Sequence, residues 1–336
     1  FREGVSIMNT DVVISSRIRF ARNLQDFDFP VMIRGTSDEK QIALTCNSVL
    51  KKIGFVSYRM NDLTELEKRS FIEKYIVSNN LANSPYGAVS VSKDGLLSVM
   101  INEEDHLREQ CIFKGFDLDG AYSRISQLDK ILGSNLRFSV KSGFYYTACP
   151  TNLGTGMRAS VMAFLPALTN SGRLSDFAML AYEKGITIRG AFGEGSASEG
   201  YYYQISNSVT VDNVKSIINN VKNFTFLVAD EEKKERKREY LKNPLKTKDE
   251  SLRALGILTH SAILPYDEFG ELIARVKTGI SLGILSCDNS FAIDDLTVTA
   301  RPNTLSLNDN IASESLDEKR AIFVKNALGS LNICEV

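Results

Sequence analysis

Apolar and polar residues alternate over positions 10–20, near the start of the chain, and this alternation predicts a β-strand. Apolar residues at helical spacing follow over 38–52 and predict a helix. The same criteria, with cap and turn residues, predict further helices over 61–77, 118–132, 175–184 and 211–242. Asn61 and Asp62 are the predicted cap of the first of these. Strands are predicted over 87–91, 96–101, 138–148, 186–190 and 201–205.

A domain boundary is predicted at Asn243-Pro244, where the long helix over 211–242 must end. Opposite charges lie three or four residues apart over 230–239, which favours a solvated helix face over a binding tract. Further helices are predicted over 250–258, 265–285 and 317–331. The chain therefore divides into a mixed domain, 1–243, and a smaller helical domain, 244–336.

Composition narrows the class of protein. The 336 residues carry 40 Lys+Arg against 41 Asp+Glu, so a basic track for nucleic acid is not indicated. No apolar run is long enough for a membrane span, and the first residues lack a signal-peptide pattern. Five scattered cysteines without a Cys-x-x-Cys pair predict a reducing, cytoplasmic location and argue against zinc, while two histidines give little support to a hydrolase triad.

Ser15, Arg17 and Arg19 share one face of the first predicted strand, because side chains alternate along a strand. Two cations on one face repel each other unless an anion lies over them, so a phosphate site is a fair inference. Arginines on a solvated strand face are common, however, and for this segment alone that interpretation is favoured.

Glu103, Glu104 and Asp105 directly follow a predicted buried strand. Such acids could cap the next element or hold a metal. These two interpretations together are favoured about as much as a catalytic role. A guanidinium nitrogen can attack phosphorus only after losing a proton, and its pKa lies above about 12. A positioned carboxylate would have to accept that proton.

Two glycine-bearing segments complete the candidate chemistry. Cys149 and Pro150 precede the turn Asn-Leu-Gly-Thr-Gly, with Arg158 close behind, and amides in such turns can bind anions. Four glycines between 190 and 200 predict a loop that carries Glu194 and Glu199 and could close over a nucleotide, although a plain hairpin would also use them.

Together these segments resemble the phosphagen kinases, the ATP:guanidino phosphotransferases, and above all the bacterial protein-arginine kinase (McsB) branch. The resemblance rests on Asn-Glu-Glu-Asp-His-Leu-Arg at 102–108 and Cys-Pro-Thr-Asn-Leu-Gly-Thr-Gly at 149–156, and it is strong over 11–207. It implies an α+β fold in which an antiparallel β-sheet is flanked by helices, followed by a smaller all-α domain.

The resemblance also assigns roles. Glu104 is expected to be the base, Glu103 or Asp105 to organise the site, and Cys149 to lie near the acceptor guanidinium without forming a covalent intermediate. Magnesium would be bound through the phosphates. Residues expected to bind ATP are Ser15, Ser16, Arg17, Ile18, Arg19, Tyr75, Arg108, Arg158, Ala159, Ser160, Val161, Met162, Arg189, Gly190, Ala191, Phe192, Gly193 and Glu194.

The chain departs from the family pattern at four points. Phe192 stands where the metabolite kinases have arginine, but the protein-directed branch tends to have an aromatic residue there. Tyr75 replaces a histidine that helps to bind the nucleotide. Ala197 replaces a glutamate, which leaves the second guanidinium carboxylate open between Glu194 and Glu199.

The fourth departure lies in the family's phosphoarginine-sensing motif, Arg-Asp-x-x-Arg-Ala. Here Leu316 replaces the first arginine, while Asp317, Arg320 and Ala321 remain. Because Asp317 and Arg320 lie three residues apart, they share one helical face. The substitution predicts normal catalysis with weakened allosteric activation by phosphoarginine.

The resemblance implies an ATP-dependent kinase of arginine side chains in proteins, which marks them for degradation or controls a stress-response repressor. Its expected partners are protein substrates, a zinc-binding activator, a Clp-type unfoldase or protease, and a second copy bound through the C-terminal domain. A free-arginine kinase is one alternative, disfavoured because the metabolite kinases' N-terminal helical domain is not found before the first strand. A non-catalytic adaptor of the same fold is the other.

Overall fold

One eight-stranded antiparallel sheet organises the first two thirds of the chain, with strand order β2-β3-β4-β5-β1-β8-β10-β9. The computed structural model describes residues 11–190, 199–287, 290–308, 315–329 and 331–334. The strands are β1 Val13–Arg22, β2 Val56–Arg59, β3 Ala88–Val91, β4 Leu97–Ile101, β5 Leu107–Lys114, β6 Val140–Lys141, β7 Phe144–Tyr145, β8 Met157–Phe164, β9 Ile186–Gly190, β10 Tyr202–Asn207, β11 Leu285–Ser286 and β12 Asn332–Ile333.

Helices flank this sheet and form most of the C-terminal region, as the predicted α+β class requires. On one face, α5 packs against β1 and β5 and α8 packs against β8 and β10, which encloses the largest apolar core. The helices are α1 Pro30–Ile33, α2 Ser37–Lys52, α3 Glu65–Glu73, α4 Asn79–Ala82, α5 Leu118–Asn135, α6 Pro166–Asn170, α7 Leu174–Glu183, α8 Val214–Lys242, α9 Pro244–His260, α10 Tyr266–Ser281, α11 Ser290–Thr299, α12 Pro302–Ser306 and α13 Leu316–Leu328.

The start of α3 corrects one predicted cap. The Thr64 hydroxyl accepts a hydrogen bond from the Glu67 amide at 3.2 Å, and the Glu67 carboxylate accepts one from the Thr64 amide at 2.8 Å. This reciprocal capping box satisfies two amides that a helix start leaves open. Asn61 and Asp62 lie instead in a short 3-10 turn before it.

The strand predicted over 138–148 is wrong. Only β6 and β7 form there, because Ser142 (φ 54°) and Gly143 (φ 80°) turn the chain back between them. The prediction also missed β5 and β8, the two strands that flank β1. Both are central strands with several buried side chains at adjacent positions, so they lack the simple alternation of a half-exposed strand.

The charged run over 230–239 is not solvated throughout. Glu232 and Arg236 are 0% and 2% exposed, and their side chains pair at 2.6 Å. The Glu232 carboxylate also accepts hydrogen bonds from the amides of Ala167 and Leu168 at the start of α6. This side of α8 therefore fixes α6 against the sheet domain, whereas the solvated-face prediction holds only for its other side.

A second apolar core lies after Asn243 and joins α9, α10, α11 and α13. Its separation from the first core supports a boundary at Asn243-Pro244, which we retain as a proposal. Glu73, at the end of α3, binds the start of α12 by accepting hydrogen bonds from the amides and side chains of Asn303 and Thr304, at 2.6–3.0 Å. Among the described helices, none combines the length and apolar character needed to cross a membrane.

Candidate active site

Five arginines project from the sheet face opposite the main core. Side chains at directly opposed positions of an antiparallel pair share a face. Arg19 on β1 is opposed by Arg158 on β8, and Ala21 on β1 is opposed by Arg108 on β5. Arg17 lies two residues from Arg19 and therefore shares its face.

Arg189 reaches the same face through two neighbouring strands. Met162 lies four residues beyond Arg158 on β8, its opposed residue on β10 is Gln204, and Gln204 is opposed in turn by Arg189 on β9. The structure therefore brings together the arginines that the sequence places in four separate segments. A cleft of about 400 Å³ lies over this face, and Arg19, Arg108, Arg158 and Arg189 line it.

The electrostatics of the arginine cluster suit an anion. Burial and the positive charges of Arg108 and Arg158 lower the pKa of Arg17 to about 9. Burial and Arg158 lower the pKa of Arg108 to about 10. Both side chains still carry charge at neutral pH, and like charges held this close favour a polyanion over them. Planar guanidinium groups match phosphate oxygens in paired hydrogen bonds.

The acidic segment is a tight turn between β4 and β5. Asn102 begins it with φ 61°, a left-handed conformation that asparagine tolerates better than most residues. Its side-chain amide donates to the carbonyls of Glu39, at 2.8 Å, and Tyr86, at 3.2 Å. The turn leaves Glu104 exposed to the cleft, whereas Glu103 and Asp105 are each 3% exposed.

Glu103 and Asp105 hold other parts of the site in place. The Glu103 carboxylate accepts hydrogen bonds from Arg108 at 2.8 Å and from the Ser78 hydroxyl at 2.6 Å. The Asp105 carboxylate accepts from the Asn23 side chain at 2.6 Å and from the Ala148 amide at 2.7 Å. Asp105 thereby ties the segment that precedes Cys149 to the acidic turn.

Glu104 is the exposed carboxylate of the acidic turn, and its surroundings favour its protonated form. Burial, then the negative charges of Asp105 and Glu103, raise its pKa above the ordinary value, while a hydrogen bond with Cys149 acts in the opposite direction. Both residues line the cleft. A carboxylate with a raised pKa is a stronger proton acceptor, as a general base needs to be.

Two glycines shape the segment after Cys149. Gly154 has φ 112°, and a Cβ there would lie 2.7 Å from the Thr210 carbonyl oxygen. Gly156 has φ 63°, and a Cβ there would lie 2.6 Å from Nη1 of Arg22. These close approaches explain why the turn needs glycine at both positions.

Arg22 and Thr210 support this segment, and no sequence motif identifies either residue. The Arg22 guanidinium pairs with Asp129 at 2.8 Å, lies 3.5 Å from the Tyr145 ring centroid and donates to the Thr155 carbonyl at 3.0 Å. The Thr210 hydroxyl donates to the carbonyls of Thr151 and Leu153. Each of these contacts joins residues more than 50 positions apart in the chain, so local motifs could not reveal them.

His106 is a structural residue of the acidic turn. It is fully buried, its Nδ1 accepts from the Leu24 amide at 3.0 Å, and its Nε2 therefore donates to the Asp28 carbonyl at 2.9 Å. Burial lowers its pKa to about 4, so the ring is neutral at physiological pH. Its neutral ring joins the turn to the chain after β1.

Some residues expected to bind ATP lie elsewhere. Ser16, Ile18, Ala159 and Val161 alternate with the arginine-face residues, and their side chains are buried on the opposite face. The Ser16 hydroxyl donates to the Gly115 carbonyl at 2.9 Å, and the other three belong to the apolar core. The structure therefore does not bring these four side chains to the cleft.

The remaining expected positions fall into three groups. Ser15, Tyr75, Ser160 and Met162 line a second cavity beside the cleft, and Gly190 ends β9. Ala191, Phe192, Gly193, Glu194 and Ala197 lie outside the described residues. The choice between Glu194 and Glu199 therefore stays a prediction.

The residues of the degenerate sensing motif lie in the C-terminal core. Arg320 is 1% exposed and donates to the carbonyls of Ala300, at 3.0 Å, and Leu264, at 2.8 Å, as well as to Asp317 at 2.6 Å. Ala321 is buried in the second apolar core. Asp317 and Arg320 thus form the contact that their spacing predicts. The other hydrogen bonds of Arg320 hold the C-terminal core together.

Neither a metal cluster nor a disulfide is found in the described part of the chain. None of its groups of His, Cys, Asp and Glu could hold a metal ion through three or more side chains. The five cysteines all lie within that part, and no two of them are bonded.

Known proteins resemble both parts of the chain. Residues 38–235 match the family model of the ATP:guanido phosphotransferase C-terminal catalytic domain. Residues 244–335 match that of the protein-arginine kinase McsB C-terminal domain. The chain is 36% identical over 330 residues to the protein-arginine kinase of Clostridium tetani, with 96% of this chain and 97% of the relative covered. It is 36% identical over 328 residues to that of Caldanaerobacter subterraneus, with 95% and 97% covered.

Solved structures share the fold at lower identity. The duplicated taurocyamine kinase of Schistosoma mansoni superposes with a TM-score of 0.59 at 23% identity, over 68% of this chain and about a third (34%) of that one. Lombricine kinase superposes with a TM-score of 0.58 at 20% identity, over 67% of both chains. Fold and site together are those of a guanido phosphotransferase. Within that class of enzymes, the chain belongs to the protein-arginine kinase family.

Proposed function

We propose that this enzyme transfers the γ-phosphoryl group of ATP to the guanidinium of arginine side chains in proteins. The observation that carries the proposal is the convergence of five arginines on one sheet face with a single exposed carboxylate of the acidic turn, Glu104, at the edge of the same cleft. The arginines suit a polyphosphate, and the carboxylate suits a cationic acceptor.

The proposed reaction follows from these positions. The arginines hold the phosphates in line with the incoming guanidinium and neutralise charge that develops during transfer. One guanidinium nitrogen bonds to the γ-phosphorus as the bond to the β-γ bridging oxygen breaks, which releases ADP. The proton lost by that nitrogen passes to Glu104. Cys149, hydrogen-bonded to Glu104, lies beside the acceptor and takes no covalent part.

Magnesium is expected to accompany the nucleotide, bound through its phosphate oxygens. The donor set of the cleft fits this arrangement, because its lining is rich in arginine and offers Glu104 as its exposed carboxylate. The ion would supply further neutralisation of phosphate charge.

A protein acceptor is favoured over free arginine by the family relationship. The relatives named protein-arginine kinase match along 97% of their length, including the C-terminal region. The adaptor alternative is disfavoured because four of the five arginines, Glu104 of the acidic turn and Cys149 line one cleft.

The cellular role is a further part of the proposal. We infer from the family resemblance that the modification marks proteins for a Clp-type protease or controls a stress-response repressor in the cytoplasm, with a zinc-binding activator. A homodimer through the C-terminal region is supported by exposed apolar residues at the α8–α9 junction, where Leu241 and Leu245 are 64% and 78% exposed.

One assay separates the candidates. The purified chain is incubated with γ-labelled ATP and either free arginine or an unfolded arginine-rich protein, and the product is tested for acid lability. Acid-labile label on protein alone is the expected result. Label on free arginine alone would establish the metabolite kinase, and absence of label from both acceptors would favour the adaptor.

A further inference from the structure

Exposed apolar side chains lie beside the cleft, on the segments that lead to and from Cys149. Phe144, Tyr146 and Leu153 are 44%, 39% and 39% exposed. The first two belong to the β6–β7 hairpin and its end, and Leu153 directly follows Asn152, which lines the cleft. Large apolar side chains that are exposed together mark surfaces that contact other molecules.

Antiparallel pairing places these three side chains on one face. Phe144 and Tyr146 are two residues apart, so they point to the same side of the hairpin. Tyr145 is bridged to Gly154, and its amide donates to the Gly154 carbonyl at 2.9 Å. One step from this bridge, Tyr146 comes opposite Leu153, and opposed side chains share a face. The three side chains therefore form one apolar surface.

Two valines extend this surface. The Thr210 hydroxyl donates to the Leu153 carbonyl at 2.6 Å, and the Thr210 carbonyl accepts from the Thr155 amide at 3.0 Å. Val209 and Val211 flank Thr210 in the chain and are 45% and 63% exposed. The apolar rim, as we name it, consists of Phe144, Tyr146, Leu153, Val209 and Val211.

Contacts within the chain fix the hairpin side of the rim. Tyr145 points to the other side of the hairpin, where its ring centroid lies 3.5 Å from the guanidinium carbon of Arg22. The Asn23 side-chain amide donates to the Tyr146 carbonyl at 3.0 Å and to the Asp105 carboxylate at 2.6 Å. One nitrogen thus joins the rim to the acidic turn. A surface that is already ordered loses little conformational entropy when it binds a ligand.

The length of an arginine side chain indicates what occupies the rim. Its guanidinium carbon lies roughly 6 Å from its own Cα, so an acceptor arginine that reaches Glu104 leaves its main chain at the mouth of the cleft. Flanking residues follow at about 3.3 Å per residue in an extended chain. The Cα of Leu153 is about 3.8 Å from that of Asn152 in the cleft wall. Residues next to the acceptor arginine therefore come within contact distance of the rim.

We propose that the apolar rim binds the residues that flank the acceptor arginine, and that it selects arginines whose neighbours in the chain are apolar. The inference rests on the proposed kinase activity and defines its substrate class more closely. Apolar contact between the rim and these neighbours removes apolar surface from water on both sides. Free arginine has no neighbours and gains nothing from the rim.

The test uses two seven-residue peptides that each carry one arginine. One peptide has glycine at the two positions on either side of the arginine, and the other has leucine there. Steady-state kinetics at saturating ATP gives kcat and KM for each peptide. The leucine peptide is predicted to have a kcat/KM at least about tenfold higher, mainly through a lower KM, because the rim binds the peptide equally before and during transfer.

Three double variants identify the surface responsible. Phe144→Ser with Leu153→Ser removes apolar contacts from the rim and keeps the backbone hydrogen bonds of the hairpin. Phe144→Leu with Leu153→Met keeps the rim apolar. The matched control, Met179→Ser with Tyr182→Ser, lies on α7, where the replaced side chains are 65% and 84% exposed and neither lines the cleft.

The serine variant of the rim is predicted to reduce the preference for the leucine peptide to less than about twofold, with kcat/KM for the glycine peptide within about twofold of the unsubstituted protein. The other two variants keep the preference. Absence of a preference in the unsubstituted protein, or an undiminished one in the serine variant of the rim, would overturn the proposal. Equal loss with both peptides would overturn it too, because the substitutions would then act on the arginine cleft.

The oligomeric state of the same variants is measured by light scattering. An altered oligomeric state of the serine variant of the rim, together with an undiminished peptide preference, would assign the rim to contacts between copies of the chain and overturn the proposal.

Photocrosslinking gives a readout that depends neither on a variant nor on transfer. A leucine peptide with benzoylphenylalanine next to its arginine is irradiated with the unsubstituted protein and ADP. Crosslinks to 140–154 or 207–211 are expected, and crosslinks confined to other segments would refute the rim. Crosslinks to the rim without phosphoryl transfer to either peptide refute the kinase alone, and transfer to both peptides at equal rates refutes the rim alone.

Discussion

Glu103 accepts a hydrogen bond from Arg108 at 2.8 Å, and the carboxylate that does so is 3% exposed. This ion pair fixes the guanidinium of Arg108 within the arginine cluster, while Glu104, the residue after Glu103, faces the cleft. In the proposed mechanism, two adjacent acids have separate tasks: Glu103 positions Arg108, and Glu104 accepts the proton.

Glu103→Gln is predicted to raise the KM for ATP about tenfold, because a charged hydrogen bond that orients Arg108 is replaced by a neutral one. Steady-state kinetics with varied ATP measures this change. The matched control is Asp62→Asn, which breaks the Arg59–Asp62 pair, 71% and 55% exposed, and is expected to have no effect. Equal KM values for the two variants would show that Glu103 does not orient Arg108 for nucleotide binding.

Cys149→Ala is predicted to shift the acid limb of the kcat/KM profile to higher pH. The base must be unprotonated to act, so activity falls as pH drops through the pKa of Glu104. That pKa is already raised by burial and by Asp105 and Glu103, and the hydrogen bond with Cys149 restrains it. Loss of this bond raises the pKa further. Cys149→Ser keeps a donor and should shift the limb less; an unmoved limb in Cys149→Ala is the contrary outcome.

Glu109 is predicted to make stability fall as pH rises. It is fully buried, and burial, then the charge of Asp129, raise its pKa well above the ordinary value. Above the pKa of an ordinary glutamate, about 4.3, the folded protein keeps this proton while the unfolded chain loses it. Because the folded state then binds more protons, the free energy of unfolding declines with pH until the folded pKa is passed, by at most about 1.4 kcal/mol per pH unit.

Glu109→Gln should remove this contribution, so its melting temperature should depend less on pH between 5 and 8 than that of the unsubstituted protein. Thermal denaturation at several pH values measures the difference, with the exposed Glu183→Gln as control. Parallel melting curves for all three proteins would mean that Glu109 is not held protonated.

Leu316→Arg is predicted to increase activation by phosphoarginine. Leu316 begins α13, one residue before Asp317, at the position where the family motif has its first arginine. Arg320 already donates to Leu264, Ala300 and Asp317, so an added guanidinium would supply new donors for a phosphoryl group. Kinase rates with and without phosphoarginine test this, and equal activation of the two proteins would contradict it.

The sequence predicts the arginine face well because its signals are local. Alternation alone places Ser15, Arg17 and Arg19 on one side of β1, and the motifs identify the other arginines. The supports of the site act across distant segments: Asn23 binds Asp105, Arg22 binds Asp129, and neither pair leaves a mark on the local pattern.

One error has its origin in contacts between distant segments. The charged run on α8 suggested solvent on all sides, yet the start of α6 gives Glu232 two amide donors that make its burial favourable.

Phosphoryl transfer by Glu104→Gln, with ADP affinity measured on the same preparation, tests the central claim most directly. The carboxamide keeps the shape of the side chain but cannot accept the guanidinium proton. Transfer to an arginine-rich protein is predicted to fall about 100-fold or more, with ADP binding within about twofold of the unsubstituted protein. Transfer at the unsubstituted rate would contradict the role of Glu104 as the base that faces the arginine cluster.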